Sequence, residues 1–365
     1  MKVGIITFHQ AFNYGAVLQA YALYKSVSKL GGECEIIDYR NTHFNNIYKK
    51  IDWKKSKNLR AFISAILFGK TRNRKIEGFM KFVDNNCKIS SNTYSTESID
   101  SIDNYYDVVI TGSDQVWNLE LTDEDYHYFL DFVPNGVRKC SYAASIVYNN
   151  ISFGQEDHIK NLLLKFDYIT LRENSGKSYI SKLLEKDNIS VVLDPSLLLN
   201  KNEWKNLAKD NVVNSILPNK YILAYFVSPN DDHYLQAKKI SKQLGLPIVL
   251  INYTHKKIKG VVNMRTVSPG QFVYLIEHSE FVVTNSFHGT AFAINLQKNF
   301  TFILNEKHPE KNERITTLIN ALGLENRNIK DFSINEKIKW DIVTNKLEAL
   351  RKYSLNELSK ELTGE

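Results

Sequence analysis

Cysteine is scarce in this sequence: Cys34, Cys87 and Cys140 are the only three in 365 residues, far apart and odd in number. Without Cys-x-x-Cys or Cys/His spacing, neither a disulfide framework nor a zinc site is indicated, and no metal is expected. Long apolar runs are missing too, so nothing reads as a bilayer span. The apolar start, Met1 to Phe8, is short and lacks a small-residue cleavage pattern. It reads as a first strand rather than a signal peptide, which places the protein in the cytoplasm. Fixed-period repeats and low-complexity tracts are absent. So are G-x-G-x-x-G, Walker A, G-x-S-x-G and H-E-x-x-H, which leaves dinucleotide, P-loop, hydrolase-elbow and zinc-protease chemistry without support. The acidic run Asp123-Glu124-Asp125 reads as surface.

What is present suits a globular α/β protein. The length allows two domains, and 43% hydrophobic residues allow each its own core. Lys and Arg number 47 against 40 Asp and Glu, a formal charge of +7. That balance fits an anionic substrate, an anionic membrane surface or nucleic acid, and does not choose among them. The 20 Tyr and 19 Phe could stack on sugars, although most such residues are core.

Strand and helix patterns alternate along the chain. Residues 3–8 read as a strand, and 15–30 as a helix ended by Gly31-Gly32. Further strands are predicted at 34–39, at 107–111 with Gly112-Ser113 as an exit turn, and at 141–147, 168–171 and 190–193. Pro195 and Pro218 bracket a mixed segment, after which a second series begins. It comprises a strand at 221–227, a helix at 231–244, a strand at 247–252 and an extended piece at 261–264. A helix follows at 269–278, with Ser268 as N-cap and Pro269 first, then a strand at 281–285. Helices are predicted over 311–322 and 340–362. This grammar predicts parallel sheets covered by helices, simplest as two α/β domains facing one cleft.

Between Lys49 and Lys75 stand ten Lys or Arg and one acid, Asp52, around the apolar stretch Leu59 to Phe68. One reading is an inserted helix with a solvated basic face, the commoner fate of a charge run. The other is a basic amphipathic helix lying on an anionic membrane.

Four strand-end segments could carry chemistry. Ser286-Phe287-His288-Gly289 follows the β-branched run 281–285 and opens a helix, offering free backbone N–H groups to an anion beside a proton-transferring imidazole. The plain alternative is a Ser cap and a structural His. Asn13-Tyr14-Gly15-Ala16 sits at the first strand-to-helix turn, where Gly15 permits close backbone approach, or Asn13 simply caps. Gly112 to Asn118 gathers Ser113, Asp114, Gln115, Trp117 and Asn118 in one loop, groups suited to holding a polyol, with a buried Trp117 as the alternative. Leu171-Arg172-Glu173 presents a guanidinium fork for phosphate or carboxylate, unless Arg172 pairs with Glu173 or caps a helix.

Together these segments resemble the polysaccharide pyruvyl transferase family. The stretches that carry the resemblance are Asn13 to Leu23, Gly112 to Asn118, Ser141-Tyr142-Ala143-Ala144-Ser145, Leu171-Arg172-Glu173, Leu193-Asp194-Pro195-Ser196 and Thr284 to Gly289, in the family's order. The family's Ser-Phe-Gly is altered here to Ser145-Ile146-Val147. The resemblance implies a fold similar to GT-B glycosyltransferases, with a Rossmann-like acceptor domain over 1–200 and a donor domain over 201–365. A basic helical insertion at about 44–85 belongs to the first domain, and the last helix packs back on it. It implies pyruvate transfer from phosphoenolpyruvate to two hydroxyls of a cell-surface glycan or lipid-linked precursor, as in capsule or exopolysaccharide biosynthesis, giving a ketal and phosphate. No cofactor is implied. His288 is expected as general acid/base and Arg172 as its catalytic partner. Arg172, Ser286, His288, Gly289, Arg265 and Arg314 are expected to hold phosphoenolpyruvate. Asn13, Gln19, Ser113, Asp114, Gln115, Trp117 and Asn118 are expected to hold the acceptor sugar.

Two rivals stand beside this reading: a GT-B-type glycosyltransferase using a nucleotide sugar, and a non-catalytic glycan- or membrane-surface-binding protein. Peripheral contact with the inner face of the membrane belongs to the basic segment's second reading. Nucleic acid is not expected, because no recognition module accompanies the basic residues.

Overall fold

The computed structural model describes residues 1–43, 59–102, 105–148, 151–213, 217–252 and 257–365, with backbone alone from 59 to 68. The membrane reading of the basic segment falls largely outside the described residues. No described helix is long and apolar enough to cross a membrane.

The chain divides into two compact units. The first gathers residues up to 43, Val83–Leu198 and Glu348–Glu365; the second gathers 59–82 and Leu199–Leu347. Among the described residues the first unit carries a seven-stranded sheet: β1 (Lys2–Ile6), β2 (Glu33–Arg40), β3 (Ile89–Ser95), β4 (Val108–Trp117), β5 (Arg138–Ile146), β6 (Tyr168–Leu171) and β7 (Ser190–Val191). Its order is β3-β2-β1-β4-β5-β6-β7, with every neighbouring pair parallel. Strands such as β2 are buried along their whole interior, as a parallel sheet covered on both faces requires. The winding reverses between β1 and β4, and the crevice at a doubly wound sheet's binding end opens at such a reversal.

Helix α1 (Tyr14–Lys29) leaves β1 through the Asn13 cap and buries most of its residues. Helix α2 (Leu59–Asn86) precedes β3; α3 (Phe153–Leu163) and α4 (Asn174–Leu184) flank β6. The first unit is closed by the end of the C-terminal helix. There Arg351 Nε donates to Leu197 O at 2.6 Å, and Ser354 Oγ accepts from Leu193 N at 2.9 Å.

The second unit, among the described residues, holds β8 (Ile222–Tyr225), β9 (Ile248–Ile251), β10 (Val262–Met264), β11 (Phe281–Thr284) and β12 (Asn299–Phe302). The order is β10-β9-β8-β11-β12, again all parallel, and the reversal lies between β8 and β11. Its helices are α5 (Lys201–Lys209), α6 (Asp231–Leu244), α7 (Pro269–Glu277), α8 (Phe287–Asn295) and α9 (Glu313–Leu322), and the C-terminal helix α10 (Trp340–Thr363) begins here. Every residue of α8 is buried. Phe292 of α8 meets Trp204 edge-on at 4.8 Å and Phe272 at 5.8 Å, so three helices share one aromatic core. Each such side chain contributes roughly 1.5–3 kcal/mol through burial.

Four expectations are corrected. The strand expected to end before Gly112-Ser113 continues to Trp117, with a register shift between Asp114 and Trp117. The mixed segment after Pro195 contains α5, nucleated by the Asn200 capping box and anchored by buried Trp204. Asp125, read as surface, is buried and accepts from Tyr39 Oη at 2.6 Å and Asn41 Nδ2 at 2.5 Å. The helical insertion assigned to the first domain groups, over 59–82, with the second unit. Its residues Ile76, Phe79 and Phe82 are buried, and a Cβ added at Gly78 would lie 3.4 Å from Ser268 Cβ.

Candidate functional site

Each unit places a polar constellation where its sheet reverses. In the second unit the elements are β11 and α8. β11 runs into Asn285, and Ser286 caps α8 by accepting from Gly289 N at 3.4 Å. The turn is pinned from below. Thr284 Oγ1 donates to Tyr225 O at 2.7 Å and accepts from Ser286 N at 3.1 Å. Gly289 packs directly on that hydroxyl, since an added Cβ would stand 2.3 Å from Thr284 Oγ1. A side chain at 289 would therefore push the helix start off the strand end, which explains glycine here by close approach. His288 lies in the first turn of α8, 6% exposed, its ring edge-on to Phe287 at 5.1 Å.

Of the weaker candidates, Arg265 follows β10, the edge strand. Two strands separate β10 from β11, so their ends are about 14 Å apart at the usual spacing. Arg265 is half-buried. Arg314 lies in the first turn of α9, which packs on α8.

In the first unit the reversal brings together the end of β1, the start of α1 and the extended end of β4. Asn13 Oδ1 caps α1 by accepting from Gly15 N at 2.9 Å. Gln19 is wholly buried: its Nε2 donates to Thr7 Oγ1 at 2.8 Å and to Ala16 O at 3.0 Å, and its Oε1 accepts from Ser113 N at 3.1 Å. It ties β1, α1 and β4 into one block. Ser113 Oγ, also buried, donates to Ala143 O at 2.8 Å. Two non-glycine residues have left-handed backbone here, Asp114 at φ 74° and Ala143 at φ 48°. Such conformations cost free energy and persist where surrounding structure enforces them.

Arg172, at the end of β6, is the centre of this block. It is 4% exposed. Nη1 donates to Asp194 Oδ2 at 2.8 Å, Nη2 to Asp114 Oδ1 at 3.2 Å, and Nε pairs with Glu173 Oε2 at 3.8 Å. Burial disfavours the charged guanidinium, but Asp114, Asp194 and Glu173 outweigh it and raise its pKa. Asp194 is itself fixed, its Oδ1 accepting from Ser196 N and Oγ at 2.9 and 2.7 Å. One guanidinium thus faces three carboxyl groups.

Several expected roles change accordingly. Arg172, expected to offer its fork to phosphate, has that fork engaged by Asp114 and Asp194. Trp117, expected as a sugar platform, is 0% exposed, stacks on Phe129 at 5.3 Å and donates from Nε1 to Tyr128 O at 2.9 Å. Gln19 and Ser113 are wholly buried and hydrogen-bonded, so they set the loop rather than touch a ligand. Asn118 caps the helical turn Leu119–Thr122 by accepting from Leu121 N at 3.3 Å. Asp114, Gln115 and Asn118 are the partly exposed members of the segment.

Sequence reasoning passed over one cluster beside this block. Asp38, at the end of β2, is buried and accepts from His9 Nε2 at 3.2 Å, Gln10 Nε2 at 2.6 Å, Thr93 Oγ1 at 2.7 Å and both Nε and Nη2 of Arg40 at 3.1 and 2.9 Å. Burial pushes its carboxyl up, and the bonds from His9, Arg40 and Thr93 more than reverse this, leaving it well below the usual range. Its four partner residues are scattered over some eighty positions, and no local motif links them.

Among solved structures, the UDP-GlcNAc 2-epimerase of Neisseria meningitidis bound to UDP-GlcNAc is similar to this chain at TM-score 0.50 and 12% identity, covering 99% of this chain and 100% of that one. The S. aureus MnaA structure with UDP gives TM-score 0.51 and 10% identity, covering 98% and 91%. At this identity the likeness shows the fold, a GT-B-like pair of parallel α/β sheets. No curated protein matches the sequence. The model of the family described as polysaccharide pyruvyl transferase matches residues 13–307, across the strand-end constellations of both units. The chain belongs to the polysaccharide pyruvyl transferase family, and is a transferase.

Proposed function

We propose that the protein transfers pyruvate from phosphoenolpyruvate onto two hydroxyls of one sugar of a polysaccharide or lipid-linked precursor, forming a cyclic ketal and releasing phosphate. The observation that carries this reading is the start of α8: a capping serine, a histidine and a closely packed glycine at a sheet reversal. Free N–H groups at a helix start suit the donor's phosphate or carboxylate. His288 gives a proton to the donor's methylene carbon, leaving an electrophilic centre at C2. One sugar hydroxyl adds to C2 and loses its proton; the second adds, loses its proton and displaces phosphate. One of these protons restores the histidine; the other is taken by a base and then leaves with phosphate, so the reaction balances without redox change.

Asp114 takes the role of the base on the acceptor side. It is partly exposed, and Arg172 holds one of its oxygens. Arg172 thereby acts as a positioning residue. Its engagement with Asp114 and Asp194 supports this role over direct phosphate binding.

The test is phosphate release from phosphoenolpyruvate with galactosyl, mannosyl and N-acetylhexosaminyl acceptors, in wild type and His288→Ala. Acceptor-dependent release that the variant loses supports the reading. Substantial turnover by His288→Ala would remove the histidine from the chemistry. Stabilisation by a nucleotide sugar, but not by phosphoenolpyruvate, would replace the donor assignment.

A further inference from the structure

At the second unit's reversal, two side chains outside the groups named above meet at the ends of β8 and β11. His233 Nε2 lies 3.4 Å from Asn285 Nδ2. The orientation of each is fixed independently. Asn285 Oδ1 accepts from Val227 N at 2.8 Å, and Nδ2 donates to Val227 O at 2.9 Å. Flipping the amide would break both bonds. His233 Nδ1 accepts the backbone N–H of Asn230 at 3.0 Å, while Asn230 Oδ1 accepts from His233 N at 3.0 Å, closing the capping box of α6. The imidazole also lies flat on Phe226, centroids 5.2 Å apart and planes at 17°.

A ring nitrogen that accepts a hydrogen bond carries no proton, so the neutral imidazole must carry its proton on Nε2. The contact at 3.4 Å is therefore N–H against N–H, which is no hydrogen bond. One Asn285 Nδ2 hydrogen serves Val227; the other remains to be directed elsewhere. Two donors held this way are satisfied together by one oxygen. An oxygen about 2.9 Å from both nitrogens would see them at roughly 70°, within the range of its lone pairs. Both residues are partly exposed, so a ligand can reach them.

We infer that His233 and Asn285 form a donor pair for an anionic oxygen of the donor substrate, either of its phosphate or of its carboxylate. This rests on the donor assignment made above. Asn285 immediately precedes the Ser286 cap, so the pair extends the α8 anion site along the strand end. Burial holds His233 below the ordinary imidazole range against the opposing pull of Asp232, so at neutral pH the ring binds as an uncharged donor. Asp231 and Asp232 share the first turn of α6 but are exposed, where water and salt screen them.

The test uses His233→Glu and His233→Gln. Glutamate at this position keeps the capping-box acceptor and suits a helix start, so the fold is retained, while the N–H donor becomes a negative oxygen. Glutamine keeps both an acceptor and a donor. Inorganic phosphate and oxalate are titrated by calorimetry into wild type and both variants. Expected is binding of a probe to wild type, weakened about tenfold or more in His233→Glu and largely kept in His233→Gln. Binding of phosphate alone assigns the phosphate oxygen, and of oxalate alone the carboxylate. Equal binding in wild type and His233→Glu, or no binding of either probe to wild type, overturns the inference. Turnover of phosphoenolpyruvate is measured in parallel. Turnover indifferent to His233→Glu overturns this subsite and leaves the reaction standing. His233-dependent probe binding without turnover keeps the anion subsite and removes the donor assignment.

Discussion

Replacing Gly289 by alanine should destabilise the protein, against the usual sign for a helix. Inside a helix alanine is better than glycine by about 1 kcal/mol. Here the new Cβ would stand 2.3 Å from Thr284 Oγ1, 3.0 Å from its Cβ and 3.1 Å from its Cγ2. The hydroxyl cannot swing aside freely, because it donates to Tyr225 O and accepts from Ser286 N. Rotating it breaks both bonds, at about 1 kcal/mol each. Moving the helix start instead strains the Ser286 cap, also worth about 1 kcal/mol. Overpacking of this kind costs about 1–3 kcal/mol in its own right. After subtracting the helix-propensity gain, a net loss of about 1–3 kcal/mol is expected. Urea titration of wild type, Gly289→Ala, Thr284→Ala and the double variant measures it. Thr284→Ala removes the nearest of these atoms, so in that background Gly289→Ala should approach neutrality, a coupling of at least about 1 kcal/mol. If Gly289→Ala stabilises the protein, or the two changes simply add, close packing is not the reason for glycine.

Three further outcomes are expected. Glu361 of α10 is completely buried with Oε1 accepting from Thr170 Oγ1 at 3.0 Å; burial pushes its carboxyl well above the usual range, against the opposing Thr170 bond. A raised acid stabilises fully below its unfolded pKa of about 4.3 and loses that stabilisation as pH rises through the folded value, so Glu361→Gln should raise Tm at pH 8 more than at pH 5. The reverse ordering would show that Glu361 folds ionised. Arg172→Ala should lose about 3–5 kcal/mol in denaturant titration, because buried carboxylates lose their cation, and Arg172→Lys should recover only part, lacking a fork. Full recovery by lysine would reduce the network to a point charge. Trp117→Phe should lower Tm through the lost Nε1 bond and indole packing, yet leave the KM for the acceptor sugar unchanged; a large KM effect would return Trp117 to the binding surface.

The fold was legible wherever burial imposes a period. β6 and the Ser268-Pro269 start of α7 lie where the pattern and cap chemistry put them, because a covered parallel strand must be apolar and a helix start needs an oxygen acceptor. β3 was not legible: Ile89–Ser95 is an edge strand, polar and half exposed, held by pairing with β2 rather than by its own hydrophobicity. α5 was missed because its apolar side is brief and rests mainly on Trp204, Leu207 and Ala208. Within the site, residue types at strand ends were readable, but their duties depend on neighbours far away in sequence. Gln19 looks like a cleft residue until Ser113, 94 positions on, is seen to donate to its amide oxygen. Arg172 looks like a phosphate clamp until Asp114 and Asp194 are placed on its fork.

A guanidinium whose Nη1 and Nη2 donate to Asp194 and Asp114 has its fork turned to those carboxyl groups rather than to a phosphate. Its effect is to hold the Asp114 side chain in place within β4, at a residue with left-handed backbone. The second unit's reversal has the opposite character. It offers the α8 start, His288 and, by the donor-pair argument, neutral N–H groups from His233 and Asn285. Neutral donors and helix starts hold an oxyanion without neutralising it, which suits the phosphate of the proposed reaction.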